Sequence, residues 1–498
     1  MVDLAAGLEH QATAQMSCNS FMSRKAMVKM SDALVKARYS RRAFLSRAGV
    51  AAGAAGATYA GFGYRPGKAS AASNTLTIGL NGTTQAAAAL KQTVGAAFEK
   101  AHPGVTVNFM PVQGTDWNEY FAKILTLIAS GTPIDATNIA TEGLQLFAGQ
   151  GLAEPLDDYV RRDRSELKGY FQDVHPLLIE SAMYQGSLFI LPTDFNCGNM
   201  YYDTAIFEKH GISRPDSTWT LSDFEAISRK IGKGNSNSVA WDWVVRLWGS
   251  WTSWMYANDA NLLTEGRWSG GGWMWDTFYK NNPAAKGRKG GWNWGAPTAN
   301  DPKVVEALQL MIDLKKQGYS SSPDLGGGTT LQGLFASNHI GMTIGGGFWA
   351  GGLHNAGMKS GQFDVQFFPK WATQKHLLGD AGYAMFKKSA NKDLTFEFLK
   401  SLTSASAIGS LVNGNVSTPT RRSMMTASRY GATGPKHWQV FYDTLDKFPN
   451  TTPIPAPSYY QAMNNSFITR TTQAMASGQA KKALDALQSD LEKLHKGH

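Results

Sequence analysis

Between residues 74 and 140 the chain sets out one pattern twice and begins it a third time: a short run of alternating β-branched residues, a stretch with apolar residues at helical spacing, and a stop. "NTLTIGL" predicts a strand, and Leu90, Val94 and Phe98 then recur at helical spacing until His102-Pro103-Gly104 ends the helix. "VTVNFM" is the second strand. Asp116 and Glu119 fit an N-cap and the third helical position; Tyr120, Ile124 and Ile128 supply an apolar face, and Gly131 with Pro133 closes that helix. "IDATNIA" is the third strand. Strands separated by helices of this length predict an α/β fold with a largely parallel sheet, whose ligand sites lie beyond the carboxyl ends of the strands.

A different segment precedes this one. "RYSRRAFLSRAGVAAGAAGATYAGFGYRPGKASAAS", from Arg38 to Ser73, has a basic start, a weakly apolar Ala/Gly stretch and the small-residue triplet Ala69-Ser70-Ala71. The stretch is too short and too weakly apolar to span a bilayer. Its order is that of a cleavable export signal, and Ser40-Arg41-Arg42-Ala43-Phe44-Leu45 resembles the twin-arginine motif. Residues 1–71 are therefore expected to be removed by cleavage after Ala71, leaving a soluble periplasmic product. About forty residues before the arginine pair make a long n-region, which points to Met27 or Met30 as a start.

Removing the leader changes the charge argument. Residues 1–71 hold ten Lys or Arg against three Asp or Glu, so they contribute +7 of the net charge of +10 and leave +3. No basic cluster remains to follow a phosphate backbone, so nucleic acid is not an expected partner. Cys18 falls in the leader and Cys197 is alone in the remainder, which excludes an intrachain disulfide in the exported product. A lone Cys in an apolar run reads as a small buried hydrophobe.

Several blocks carry a family resemblance. "FEKAHPGVTV", "IASGTPIDATNIATEGLQLFAGQGLAEPLDDYV", "YQGSLFILPTDFNCGNMYYDTAIFEKHGISRPDSTWTLSDF", "NDPKVVEALQLMIDLKKQG", "LFASNHIGMTIGGGFWAGG", "GDAGYAMFKKSANKDLTFEFLKSL" and "AMASGQAKKALDALQSDLEKL" follow one another in the order found in the family 1 extracellular solute-binding proteins of ABC importers. The resemblance runs from Thr75 to Leu494. It implies a two-lobed periplasmic binding protein fold of type II, with central mixed sheets flanked by helices and a hinged cleft. The lobes would comprise 72–194 with 383–435, and 195–382 with 436–498. The crossings would fall near 194–196 and 380–383.

Carried over residue by residue, the resemblance places Asn81, Glu142, Asp194, Asn196, Trp248, Trp251, Trp349 and Asp380 at the ligand. Sugars present hydroxyls at their edges and C–H groups on their faces, so such a site combines bidentate polar groups with flat aromatic surfaces. Trp349 beside Gly345-Gly346-Gly347 suits this, because glycines let backbone N–H groups approach a ligand. Ten of the fifteen tryptophans sit between Trp241 and Trp294, where many family members have fewer aromatics.

The expected function is capture of a small solute, a carbohydrate or polyol, by a monomer that needs no cofactor or metal. The solute would pass to a membrane permease and its ATPase, after export of the protein by the twin-arginine machinery. A secreted glycoside-active enzyme is the alternative, since two acids in a sugar-sized cleft can hydrolyse a glycosidic bond; a sensory receptor subunit would use the same fold. No H-E-x-x-H spacing or G-x-x-x-x-G-K-[ST] loop supports metal or nucleotide chemistry.

Overall fold

In the computed structural model, the residues described are 74–232, 239–242, 246–320 and 328–497. The expected export signal lies outside them. Fifteen strands are present among the described residues. In chain order they are β1 (Thr75–Asn81), β2 (Thr106–Val112), β3 (Ala136–Ala140), β4 (Met183–Tyr184), β5 (Ser187–Leu188), β6 (Ile190–Cys197), β7 (Asn199–Asp203) and β8 (Val239–Asp242). They continue with β9 (Leu263–Arg267), β10 (Trp292–Pro297), β11 (Ile340–Gly345), β12 (Phe363–Phe367), β13 (Leu377–Met385), β14 (Thr418–Pro419) and β15 (Thr452–Pro453).

The alternation of the first segment does what its period requires. Leu76, Ile78 and Leu80 of β1 are buried, and β1 runs parallel to both β2 and β3, with Ile78 opposite Phe109 and Ala136. Leu90, Val94 and Phe98 are buried as expected, although residues 91–95 form a π turn within the helical stretch. Asp116 caps helix Trp117–Ala129, its side chain accepting the Glu119 N–H at 2.8 Å. Glu119 reaches back one residue further than the usual reciprocal cap, to the N–H and hydroxyl of Thr115, both at 2.7 Å.

Two sheets organise the body. The first has the order β14-β6-β13-β3-β1-β2, with β15 added to β13; the second has the order β12-β7-β11-β8. In the first, β13 lies antiparallel between β3 and β6, which makes the sheet mixed. In the second, β8 and β11 are parallel. The chain passes from the first sheet to the second at Gly198, between β6 and β7, and returns over residues 368–376, between β12 and β13. The passages thus lie beside the expected 194–196 and ahead of the expected 380–383; Asp380 to Tyr383 pair inside the first sheet. The Gly198 N–H donates to the Leu377 carbonyl at 3.0 Å, joining the two passages. A Cβ at Gly198 would stand 2.8 Å from Ile344 Cδ1 and 3.0 Å from Leu377 Cγ, so glycine lets the passages close on each other. Cys197 is buried beside this point, and burial pushes its thiol well above the usual range.

The Trp-rich segment forms an antiparallel pair, β9 with β10, around helix Gly272–Phe278. It packs on helices that follow the first sheet's parallel strands. Gln145 Nε2 donates to the Trp292 carbonyl at 2.9 Å, Trp273 Nε1 to Asp157 at 3.0 Å and Tyr279 OH to the Val174 carbonyl at 3.2 Å. Trp275, Trp292 and Trp294 are buried, and guanidiniums cover two of the rings, Arg161 over Trp273 and Arg267 over Trp292. Most of this cluster is packing material.

Candidate ligand-binding cleft

The carboxyl ends of the parallel strands gather polar residues from both sheets. In the first sheet, β1 ends at Asn81, β2 leads to Asp116, and β3 leads directly into helix Thr141–Gly149, whose first turn carries Glu142. In the second, β8 is followed by Arg246 and Trp248, and β11 by Gly346, Gly347 and Phe348. Asp194 and Asn196 of β6 and Asp380 of β13 lie in the antiparallel part of the first sheet.

Electrostatics connect these groups. Burial pushes the Glu142 carboxyl up to about 7; its own backbone N–H and Arg246 act against that rise, while Asp380 and Asp116 add to it. Burial likewise holds Asp380 at about 6, opposed by hydrogen bonds from Thr141 and Ser181 and reinforced by Asp194. Asp194 also sits at about 6, raised by burial and lowered by hydrogen bonds from Ser417 and Thr193. Tyr460, buried at the start of helix Tyr460–Ser477, feels the charges of Glu142, Asp116 and Arg246. Glu142, Asp380 and Asp194 are thus three acids raised by burial, and Asp116 and Arg246 lie within electrostatic reach of Glu142.

Their hydrogen bonds show which of these groups already hold partners within the protein. Asp380 is 2% exposed, and both its oxygens are occupied, Oδ1 by the Thr141 hydroxyl at 2.6 Å and Oδ2 by the Ser181 hydroxyl at 2.7 Å. It therefore corrects to a support that fixes β13 against the helices beside it. Ser417 donates to Asp194 at 2.6 Å and accepts from Asn196 Nδ2 at 2.9 Å, while Asn196 Oδ1 accepts the Phe348 N–H at 3.3 Å. Asp194 and Asn196 thus tie β6 to Ser417 before β14, and Asn196 also ties it to the segment after β11.

The aromatic expectations divide. Trp248 is half-buried, tilted against Phe348 with ring centroids 5.5 Å apart. Its Nε1 stands 2.8 Å from where a Cβ would lie at Gly379, so that glycine makes room for the indole. Trp251 and Trp349 are corrected, because both are 0% exposed. Trp251 stacks on Phe467 and donates from Nε1 to Thr471 at 3.1 Å. Trp349 lies among Tyr201 and Phe335. The glycines before it serve packing: a Cβ at Gly345 would meet the Trp349 ring at 2.7 Å, one at Gly346 would meet Asn196 at 2.5 Å, and one at Gly347 would meet Thr418 Oγ1 at 2.0 Å.

Sequence reasoning passed over Arg246, Phe348, Ser417 and Tyr460, and read Asp116 only as a cap. Phe348 adjoins Trp349, and Arg246 stands two residues before Trp248; no spacing marks Ser417 or Tyr460. Among the described residues, no group of three or more His, Cys, Asp or Glu side chains is placed to hold a metal ion. No described helix is long and apolar enough to cross a membrane.

The fold has many relatives of known structure. An ABC substrate-binding protein from Listeria monocytogenes in complex with cycloalternan superposes with a TM-score of 0.66 at 20% identity, over 85% of this chain and 99% of that one. A solute-binding protein from Thermotoga lettingae bound with α-D-tagatose gives 0.66 at 19% identity, over 84% and 99%. One from Agrobacterium radiobacter in complex with ribitol gives 0.65 at 16%, over 84% and 98%. In sequence, a binding protein of Brucella abortus is 36% identical over 138 residues, which is 28% of this chain and 31% of that protein's length. These likenesses establish the two-lobed α/β fold with a hinged cleft. The family described as bacterial extracellular solute-binding protein matches residues 93–424, and the chain belongs to it.

Proposed function

We propose that this chain is the extracytoplasmic receptor of an ABC importer, holding a carbohydrate or polyol between its two sheets and passing it to a membrane permease. One observation carries the reading: Glu142, just after β3 of one sheet, and Arg246, after β8 of the other, interact across the carboxyl ends of parallel strands, with Trp248 two residues further along the chain. Glu142 would accept from two hydroxyls, Asn81 and Asp116 would complete the polar edge, and the Trp248–Phe348 pair would offer the flat surface a sugar face stacks on. Sugars and a polyol in the similar structures support this ligand class. The role is binding without bond cleavage, in a monomer that the twin-arginine route delivers to the periplasm.

Closure would follow from tighter binding to the closed arrangement than to the open one. The test is a thermal-shift panel of sugars, polyols and polyamines, since a ligand specific to the folded state raises its midpoint. X-ray scattering follows with the best ligand. A stabilising sugar or polyol that also lowers the radius of gyration is expected. Stabilisation by polyamines alone, or release of a shortened sugar product, would overturn the reading.

A further inference from the structure

A cavity of about 610 Å3, sharing no lining residue with the cleft, lies among residues 172–175, Arg267, residues 282–288, Arg422 and residues 445–449. The acids in its wall are already used. Glu180 is 1% exposed; its Oε2 accepts from Arg288 at 2.8 Å and its Oε1 from the Lys289 N–H at 2.9 Å, with Arg267 Nε 3.5 Å away. Both oxygens of Asp446 accept from Arg422, each at 2.6 Å. Asp173 accepts from Arg421 at 2.8 Å and from Ser423 through its hydroxyl at 2.5 Å and its N–H at 2.9 Å.

The donors are in excess. His175 is 3% exposed, and its Nδ1 accepts the Leu177 N–H at 3.2 Å, which assigns the ring proton to Nε2. His175 lines the cavity, and its buried Nε2–H has no hydrogen-bond partner. The Asp446 oxygen nearest to it is 3.8 Å away, beyond hydrogen-bond reach. Arg288 and Arg422 are close enough to help burial hold this ring neutral, with its own value lowered to about 3. Lys286 stands exposed at the rim and pairs with no acid among the described residues. A buried donor left unsatisfied is costly, and a ligand that brings acceptors relieves that cost.

We infer that this cavity binds a small oxyanion, a carboxylate or a phosphate, through the His175 Nε2–H and the Arg288 guanidinium, with Lys286 drawing it in. The site is independent of the reading of the cleft. It joins residues from five separate parts of the chain, so an anion there would also brace the Trp-rich segment through Arg267 and Arg288.

The experiment titrates the full chain calorimetrically with inorganic phosphate and with citrate, against sodium chloride at matched ionic strength. One equivalent of phosphate, citrate or both is expected to bind, and which of them binds assigns the anion's class. His175→Asn keeps an acceptor for the Leu177 N–H, while its shorter amide puts no donor where Nε2 stood, and Lys286→Gln removes the rim charge from an exposed position. Each should weaken binding tenfold or more, with Lys286→Gln melting as wild type does. The inference is overturned if neither anion binds beyond the chloride control or if Lys286→Gln binds as tightly as wild type. Undiminished binding by a folded His175→Asn protein overturns it equally.

Discussion

Glu142→Gln tests whether the cleft acid is held for a ligand at the expense of the fold. Glu142 is 7% exposed, and burial raises its carboxyl from 4.5 to about 7. The folded protein therefore keeps this proton over a range where the unfolded chain has released it. With more protons bound in the folded state, stability falls as pH rises from 4.5 to about 7 and stays low above that. At about 1.4 kcal/mol per pKa unit, a rise of this size corresponds to about 3 kcal/mol. Glutamine has the same shape and no charge, so its fixed packing offset is independent of pH. The difference in unfolding free energy, Glu142→Gln minus wild type, should move in the variant's favour by about 3 kcal/mol between pH 4 and pH 8. Urea unfolding of the ligand-free chain at several pH values measures it. Calorimetry on the same samples should show weaker sugar or polyol binding by the variant at pH 8. A difference that is flat with pH, or that runs the other way, would refute the buried-acid argument.

Trp349→Ala should lower stability by about 3 to 5 kcal/mol, the cost of emptying a large aromatic site in a core, while molecules still folded bind ligand normally; melting and titration check it. Trp248→Ala should do the reverse, weakening sugar binding more than about tenfold, or about 1.4 kcal/mol, with the ligand-free melting midpoint little changed. Arg41-Arg42→Lys-Lys should leave precursor in the cytoplasm, as fractionation and blotting would show, whereas normal periplasmic amounts would count against the twin-arginine assignment.

The parallel half of the first sheet was legible because β1, β2 and β3 alternate cleanly and their helices carry clear stops. Asn81 and Glu142, which the family resemblance picks out, accordingly fall at the carboxyl end of β1 and just after β3. The passages between sheets were less legible. β6 and β7 form one nearly continuous extended run with only Gly198 between them, and no change of polarity marks the sheet change. The "GDAGY" stretch is where the resemblance puts the second crossing, yet it pairs inside the first sheet, and a Cβ at Gly382 would lie 2.4 Å from the Leu191 carbonyl oxygen. The same ambiguity moved Trp349 into the expected site. Three glycines signal close approach, but sequence does not say to what, and here the partners are the indole itself, Asn196 and Thr418.

The hydrogen bond from Gly198 to Leu377 has a mechanical consequence. The outgoing and returning strands are held together at this point, so if the lobes close on a ligand the point should stay fixed while places far from it move. Spectroscopic labels placed one on each lobe far from Gly198 should then approach on ligand addition, whereas a pair flanking Gly198 and Leu377 should keep its separation.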